Sequence, residues 1–183
     1  MINSDEQLLD GVRRGDDAAF ESLFLRHYSQ VYRVLYSLVG GREQAEDLAQ
    51  ETFLALYRQP PALEMGATLI AWLCRVALNR GYNLLRGERR ERARAERLAE
   101  APTQPDPHAE LVRAEERAPV RAALARLPER QGKLLLLRYA GLSYAEIAAV
   151  VEVAPGSVGT LLARAERAFL TEYKQMEPDH AML

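Results

Sequence analysis

The sequence predicts an all-α protein: two small helical domains joined by a flexible linker, the C-terminal one a helix-turn-helix. Three observations predict it. Apolar residues recur at the 3.6-residue helical period in segments bounded by Gly and Pro, and no alternating strand pattern occurs. The run Ala101-Pro102-Thr103-Gln104-Pro105-Asp106-Pro107 cannot lie inside a helix and divides the chain. Beyond it, two short helical patterns flank a tight turn at Val153–Ser157.

The elements follow in order. Ser4 and Gln7 form a capping box before Leu8, Leu9 and Val12, and Gly15 closes this first helix. The second runs from Asp17 to Val39 with Phe20, Leu23, Phe24, Tyr28, Val31, Leu35 and Leu38 on one stripe, ended by Gly40-Gly41. His27, Tyr28, Tyr32 and Tyr36 read as packing and surface residues. The third spans Arg42 to Arg58, where Pro60-Pro61 forbids continuation. Its apolar stripe is Leu48, Phe53, Leu56 and Tyr57, which leaves Asp47, Gln50, Glu51, Leu54 and Arg58 for another face. Gln59–Thr68 is a loop. The fourth helix places Leu69, Trp72, Leu73, Val76 and Ala77 inward and reaches about Arg86, with Arg86–Arg97 fraying beyond it. Arg75, Asn79, Asn83 and Arg86 recur along one side of it, a polar stripe suited to phosphates and base edges. Gly81 within it costs about 1 kcal/mol relative to Ala, which packing must offset.

The boundaries drawn are 1–95 for the first domain, 96–117 for an acidic, Pro-containing linker, 118–176 for the second domain and 177–183 for a tail. Helical pattern resumes near Ala109. Pro119 interrupts one period, and Pro128 suits the first turn of the next. Leu134, Leu135 and Leu137 follow, and Gly141 stops that helix. Ser143 and Glu146 make a second capping box opening Ile147–Val151. Ser157 is read as the N-cap of a last helix, Val158–Tyr173, with Val158, Leu161, Leu162, Ala165 and Phe169 inward.

Composition narrows the function. The formal net charge is -2, yet Arg75–Arg97 holds 8 Arg against 3 Glu, and Glu100–Arg117 holds 5 acids against 2 bases. Local potential of this kind steers a polyanion. The single cysteine, Cys74, excludes an internal disulfide and reads as an inert packed side chain; three scattered histidines offer no ligand spacing. No metal, cofactor or catalytic signature is present, and an enzyme is not expected. No apolar run has membrane-spanning length, and the start M-I-N-S-D-E-Q lacks the regions of a signal peptide, so a cytoplasmic protein without membrane insertion is expected.

Two stretches carry a resemblance. A-E-D-L-A-Q-E-T-F-L-A-L-Y-R (Ala45–Arg58), followed by A-W-L-C-R-V-A-L-N-x-x-x-N-L-L-R (Ala71–Arg86), resembles the second conserved domain of bacterial sigma-70 family factors. L-P-E-R-Q and L-R-Y-A-G-L-S-Y-A-E-I-A-A-V-V-E-V-A-P-G-S-V resemble the fourth. The short form is similar to the extracytoplasmic-function group. The resemblance implies a factor that binds RNA polymerase core and directs promoter recognition, DNA opening and transcription initiation. It implies polymerase binding by Asp47, Leu48, Gln50, Glu51 and Phe53. It implies minus-ten contacts by Arg75, Asn79, Arg80, Asn83 and Arg86, with Arg89 and Arg90 in the basic run beyond. Promoter DNA and, by family habit, an anti-sigma factor are the further partners. For the helix-turn-helix the candidates are Ser143, Ser157, Thr160, Arg164 and Arg167. Here the chain departs from the family pattern: Gly159 and Leu161 stand where a Lys and an Arg are usual, and Glu152 replaces the turn glycine. A free-standing helix-turn-helix regulator, or a sigma-like polymerase adaptor or inhibitor, are the competing readings.

Overall fold

A computed structural model describes residues 4–63, 67–98 and 118–176. Among the described residues every regular element is helical: α1 (Asp5–Arg13), α2 (Asp17–Val39), α3 (Arg42–Arg58), α4 (Leu69–Leu98), α5 (Ala118–Arg126), α6 (Glu129–Tyr139), α7 (Tyr144–Val151) and α8 (Val158–Met176), with a 3-10 turn at Pro155–Ser157. Of the linker drawn at 96–117, residues 96–98 belong to the end of α4, and the rest lies outside the described residues, as do the tail, the centre of the Gln59–Thr68 loop and the helical start placed near Ala109.

Helix α2 is the hub of the first half. Asp16 caps it by accepting from the N–H groups of Ala18 and Ala19. Gly40 ends it in the left-handed region (φ 82°) and returns its N–H to the Tyr36 carbonyl. Leu23, Val31, Val34 and Leu35 are fully buried against α1, α3 and α4. Phe24 meets Phe53 of α3 edge-on at 4.8 Å. His27, buried, lies 2.8 Å from the Asp5 carboxylate and ties α1 to α2. Tyr57 departs from the expected apolar stripe: its ring edge rests on Phe20, but it is exposed and donates its hydroxyl to Asp17.

Gly81 has a packing reason. A Cβ there would stand 2.6 Å from a δ-methyl of Leu38, so the glycine lets α4 approach α2 closely. Fraying after Arg86 is corrected, because α4 stays helical to Leu98. Arg, Glu and Ala are strong helix formers, and Glu88 and Glu91 break the run of like charge. Arg89 also reaches the Ala125 carbonyl at 3.2 Å.

Two local readings of the second half are corrected too, while the period that Pro119 was expected to interrupt lies before Ala118, outside the described residues. Pro128 is the N-cap residue of α6 rather than its first turn (φ -53°, ψ 137°). Ser157 caps nothing; it closes the 3-10 turn that runs straight into α8. Ser143 and Glu146 form the expected capping box. Helix α7 and the segment Pro155–Met176 are bent by 103°, the crossing of a helix-turn-helix. Glu152 makes the corner in the left-handed region (φ 56°, ψ 57°). A side chain costs about 1 kcal/mol there relative to glycine.

The buried side chains of both halves form one continuous cluster. Cys74 lies within it, fully buried, and burial pushes its thiol up to about 12. Native protein at neutral or mildly alkaline pH should therefore resist alkylation, and unfolded protein should react at once. Rapid labelling of native protein by a thiol reagent would contradict this placement.

Candidate nucleic-acid and protein interfaces

Helices α3 and α4 are each buried on one side, and this decides which predicted residues can meet a partner. On α3, Leu48 and Phe53 turn into the core (8% and 1% exposed) while Asp47, Gln50 and Glu51 face outward. Leu48 and Phe53 thus hold the helix, and its exposed face is Asp47, Gln50, Glu51, Leu54 and Arg58. Leu54 is a large apolar side chain 46% exposed in the middle of that polar face. Buried aliphatic anchors ringed by polar groups are the usual make-up of a protein-binding surface.

On α4, Arg75, Asn79, Asn83, Arg86, Arg89 and Arg90 are exposed residues. Arg80 stands apart from the stripe. It turns toward α3 and pairs with Glu51 at 2.6 Å, so it links the two helices. Arg86 donates to Asn83 at 2.6 Å, which orients the amide. Beside the N-terminal end of the stripe lies a cavity of about 170 Å³, lined by Leu63, Thr68, Trp72, Arg75 and Ala149 among others. Trp72, expected in the core, is only half-buried and forms one wall.

The second half closes over this stripe. Arg86 pairs with Glu129 of α6 at 2.8 Å. Lys133 bridges Glu129 at 2.8 Å and donates to Asn79 at 3.3 Å. Arg75 faces Glu152 at 4.0 Å. Thr68 donates to Glu146 at 3.0 Å, and Gln30 of α2 donates to the Ala140 carbonyl at 2.8 Å. The Tyr82 hydroxyl reaches the Glu129 carbonyl, and a Cβ on Gly132 would stand 2.6 Å from that hydroxyl. Burial drives the Tyr82 phenol well above its ordinary value. The partners Thr68, Tyr82, Glu129, Gly132 and Lys133 carry no signal in the sequence, because their pairing exists only once the halves meet.

The helix-turn-helix presents a different picture. Ser157, Thr160, Arg164 and Arg167 are exposed and lie on one side of the 3-10 turn and α8. Arg167 donates its Nε to the Ala163 carbonyl at 3.1 Å. Ser143 does not share this availability: its hydroxyl and N–H are both committed to Glu146. A Cβ on Gly159 would make only an ordinary contact with Tyr144, so nothing in the packing explains the glycine. Leu161 is half-buried and packs on the core, which an Arg there would not do as well. No group of His, Cys, Asp or Glu among the described residues could hold a metal. No single described helix is long and apolar enough to cross a membrane.

Comparison with known proteins finds two family models along the chain. The family model for sigma-70 region 2 matches residues 23–91, and that for sigma-70 region 4 matches residues 117–169. The RNA polymerase sigma-H factor of Pseudomonas aeruginosa is 30% identical over 90% of this chain and 91% of its own length. The ECF RNA polymerase sigma factor SigM of Mycobacterium tuberculosis is 31% identical over 88% of this chain and 81% of its own. The solved sigma factor RpoE, in complex with the anti-sigma factor NepR from Bartonella quintana, superposes with a TM-score of 0.60 at 24% identity, covering 87% of this chain and 98% of that one.

Glu146 offers a pH test of the contact with Thr68. Burial alone would raise its carboxyl, but the Ser143 N–H and hydroxyl and the Thr68 hydroxyl favour the charged form and hold it below 4.5. Its contribution is complete above that value and is lost as pH falls through the lowered one. Acid unfolding of the Glu146→Gln protein should have a flatter limb below pH 4.5 than the unmodified chain. Parallel limbs would show that the carboxylate is not stabilised in this way.

Proposed function

The chain belongs to the sigma-70 family, in its extracytoplasmic-function group, and so is a factor that binds RNA polymerase and directs promoter recognition; on that premise we propose how it divides the contacts. The exposed side of α3, with Asp47, Gln50, Glu51 and Leu54, docks on the polymerase core. The stripe of α4, Arg75, Asn79, Asn83 and Arg86, continued by Arg89 and Arg90, takes the minus-ten element. The single observation that carries this reading is the two-sidedness of α3 and α4: each buries one side and leaves a chemically different one outward.

Opening of the duplex needs no bond chemistry. It needs a surface that binds separated strands better than paired ones. Cations and amides along α4 supply phosphate and base contacts, and the cavity beside Trp72 offers space for an unstacked base. Leu48 and Phe53 act from within by fixing the α3 face, and Arg80 by joining α3 to α4 through Glu51. In the second domain Ser157, Thr160, Arg164 and Arg167 approach the minus-thirty-five element, mostly through its backbone, since Gly159 and Leu161 supply no cation. The domains correspond to residues 1–95 and 118–176. The protein works in the cytoplasm, without catalytic activity of its own, and an anti-sigma factor is a further partner. Family membership supports each of these assignments.

Reconstitution with core polymerase and selection of the promoters it initiates from tests the whole reading. Two narrower outcomes are expected. Asp47→Ala with Gln50→Ala should weaken co-purification with core by about tenfold, as for removal of polar groups around an anchor, with the melting temperature unchanged. Undiminished co-purification would remove the docking face. Replacing Arg86, Arg89 and Arg90 by Ala should reduce the slope of log affinity against log salt by up to about 3, one for each phosphate no longer neutralised. An unaltered slope would mean a solvated run that never meets DNA.

A further inference from the structure

Between α2, α5, α6 and α8 lies a cavity of about 360 Å³. Val120, Leu124, Leu135, Leu136 and Phe169 give it apolar walls, and Ser37 and Arg121 bring polar groups to it. None of its lining residues is assigned to polymerase or to DNA. Cavities that take small organic ligands have this make-up: about 300–1,000 Å³, mostly apolar, with a few polar groups that fix orientation. Phe169, expected inward, is half-buried at this wall and is not part of the continuous cluster of core side chains. Val120 and Tyr139 form an exposed rim.

Arg121 supplies the charge. It is half-buried, and its guanidinium lies over Gly40, where a Cβ would collide with it. Gly40 ends α2, so the cation also meets the negative end of that helix. Among the described residues no hydrogen bond or ion pair engages Arg121. It lines a second cavity together with Arg86 and Arg89, and the one carboxylate on that lining, Glu129, is already shared by Arg86 and Lys133. A guanidinium with no counter-charge beside apolar walls favours a ligand with an anionic head and an apolar body. A carboxylate would neutralise it and accept paired hydrogen bonds from it.

We propose that this cavity is a binding site for an amphipathic organic acid, with its apolar body among Leu124, Leu135 and Phe169 and its carboxylate at Arg121. The Ser37 hydroxyl, on the α2 side, is a second donor for that carboxylate. The volume suits a medium-length alkyl chain. A neutral ligand of the same shape would cover Arg121 without giving it a partner, and this sets the discrimination between head groups. A ligand seated here touches four helices and stabilises the folded chain by mass action. The assignment does not depend on which surfaces meet polymerase or promoter.

The test is calorimetric titration of the full chain with decanoate, below its micelle concentration, and with decanamide, the same chain with a neutral head. Decanoate should bind saturably, about tenfold more tightly than decanamide, the worth of a charge-assisted contact. It should also raise the melting temperature. Arg121→Gln should erase the preference and leave decanamide affinity unchanged, and Arg121→Lys should restore most of it. Val120→Trp, at the exposed rim, should block both ligands by filling the opening, with the melting temperature of the unliganded chain unchanged. Equal affinities in the unmodified chain, a preference that survives Arg121→Gln, or binding that Val120→Trp leaves intact overturns the assignment. So does the lack of saturable binding by decanoate. A dimer in sedimentation that Val120→Trp dissociates would give the cavity to a second copy of the chain and overturns it as well.

Discussion

The burial of α4 against α2 is the constraint on which the molecule depends. Gly81 favours it, because the δ-methyl of Leu38 occupies the space a side chain would need unless Leu38 moved. Given that close approach, Leu73, Cys74, Ala77 and Leu78 go fully inward, and Arg75, Asn79, Asn83 and Arg86 have nowhere to go but out. The polar stripe is thus a by-product of packing geometry before it is a binding surface. Helix α3 obeys the same logic. Phe53 meets Phe24 within the core, and that contact sets which side chains of α3 remain for a partner.

Much of this is legible in the sequence, for definable reasons. The helices of the first half announce themselves through long apolar periods and strong stops at Gly40 and Pro60. The capping boxes at Ser4 and Ser143 are local chemistry, complete within four residues. What the pattern misplaces is also local, but ambiguous. The Arg-rich end of α4 looks unstable by charge, whereas intrinsic propensity and the Arg89 tether keep it helical. Arg80 looks like part of the stripe because it is basic and lies between Asn79 and Asn83. Its angular position on the helix sends it to Glu51 instead.

The contacts between the halves are illegible in a stricter sense. Glu129 and Lys133 resemble any exposed i,i+4 pair until Arg86 and Asn79 are brought beside them. Glu152 is visible as an exception, since a left-handed corner disfavours a side chain, but which cation it faces is not. A one-dimensional pattern reports what a residue can do, and only proximity reports to what. The helix-turn-helix makes the same point. Its Ser143 is a capping group first, so its availability to a ligand is already limited by its own helix.

Gly132 carries a consequence beyond its own helix. The missing methyl gives the Tyr82 hydroxyl room against α6, so steric fit at one backbone position adds to charge in how closely the two halves pack. Volume at that position is therefore a dial. Relatives could tune how readily the protein unfolds its two arms around a promoter by trading glycine for alanine or serine there, without altering a single residue that a polymerase or a base would touch.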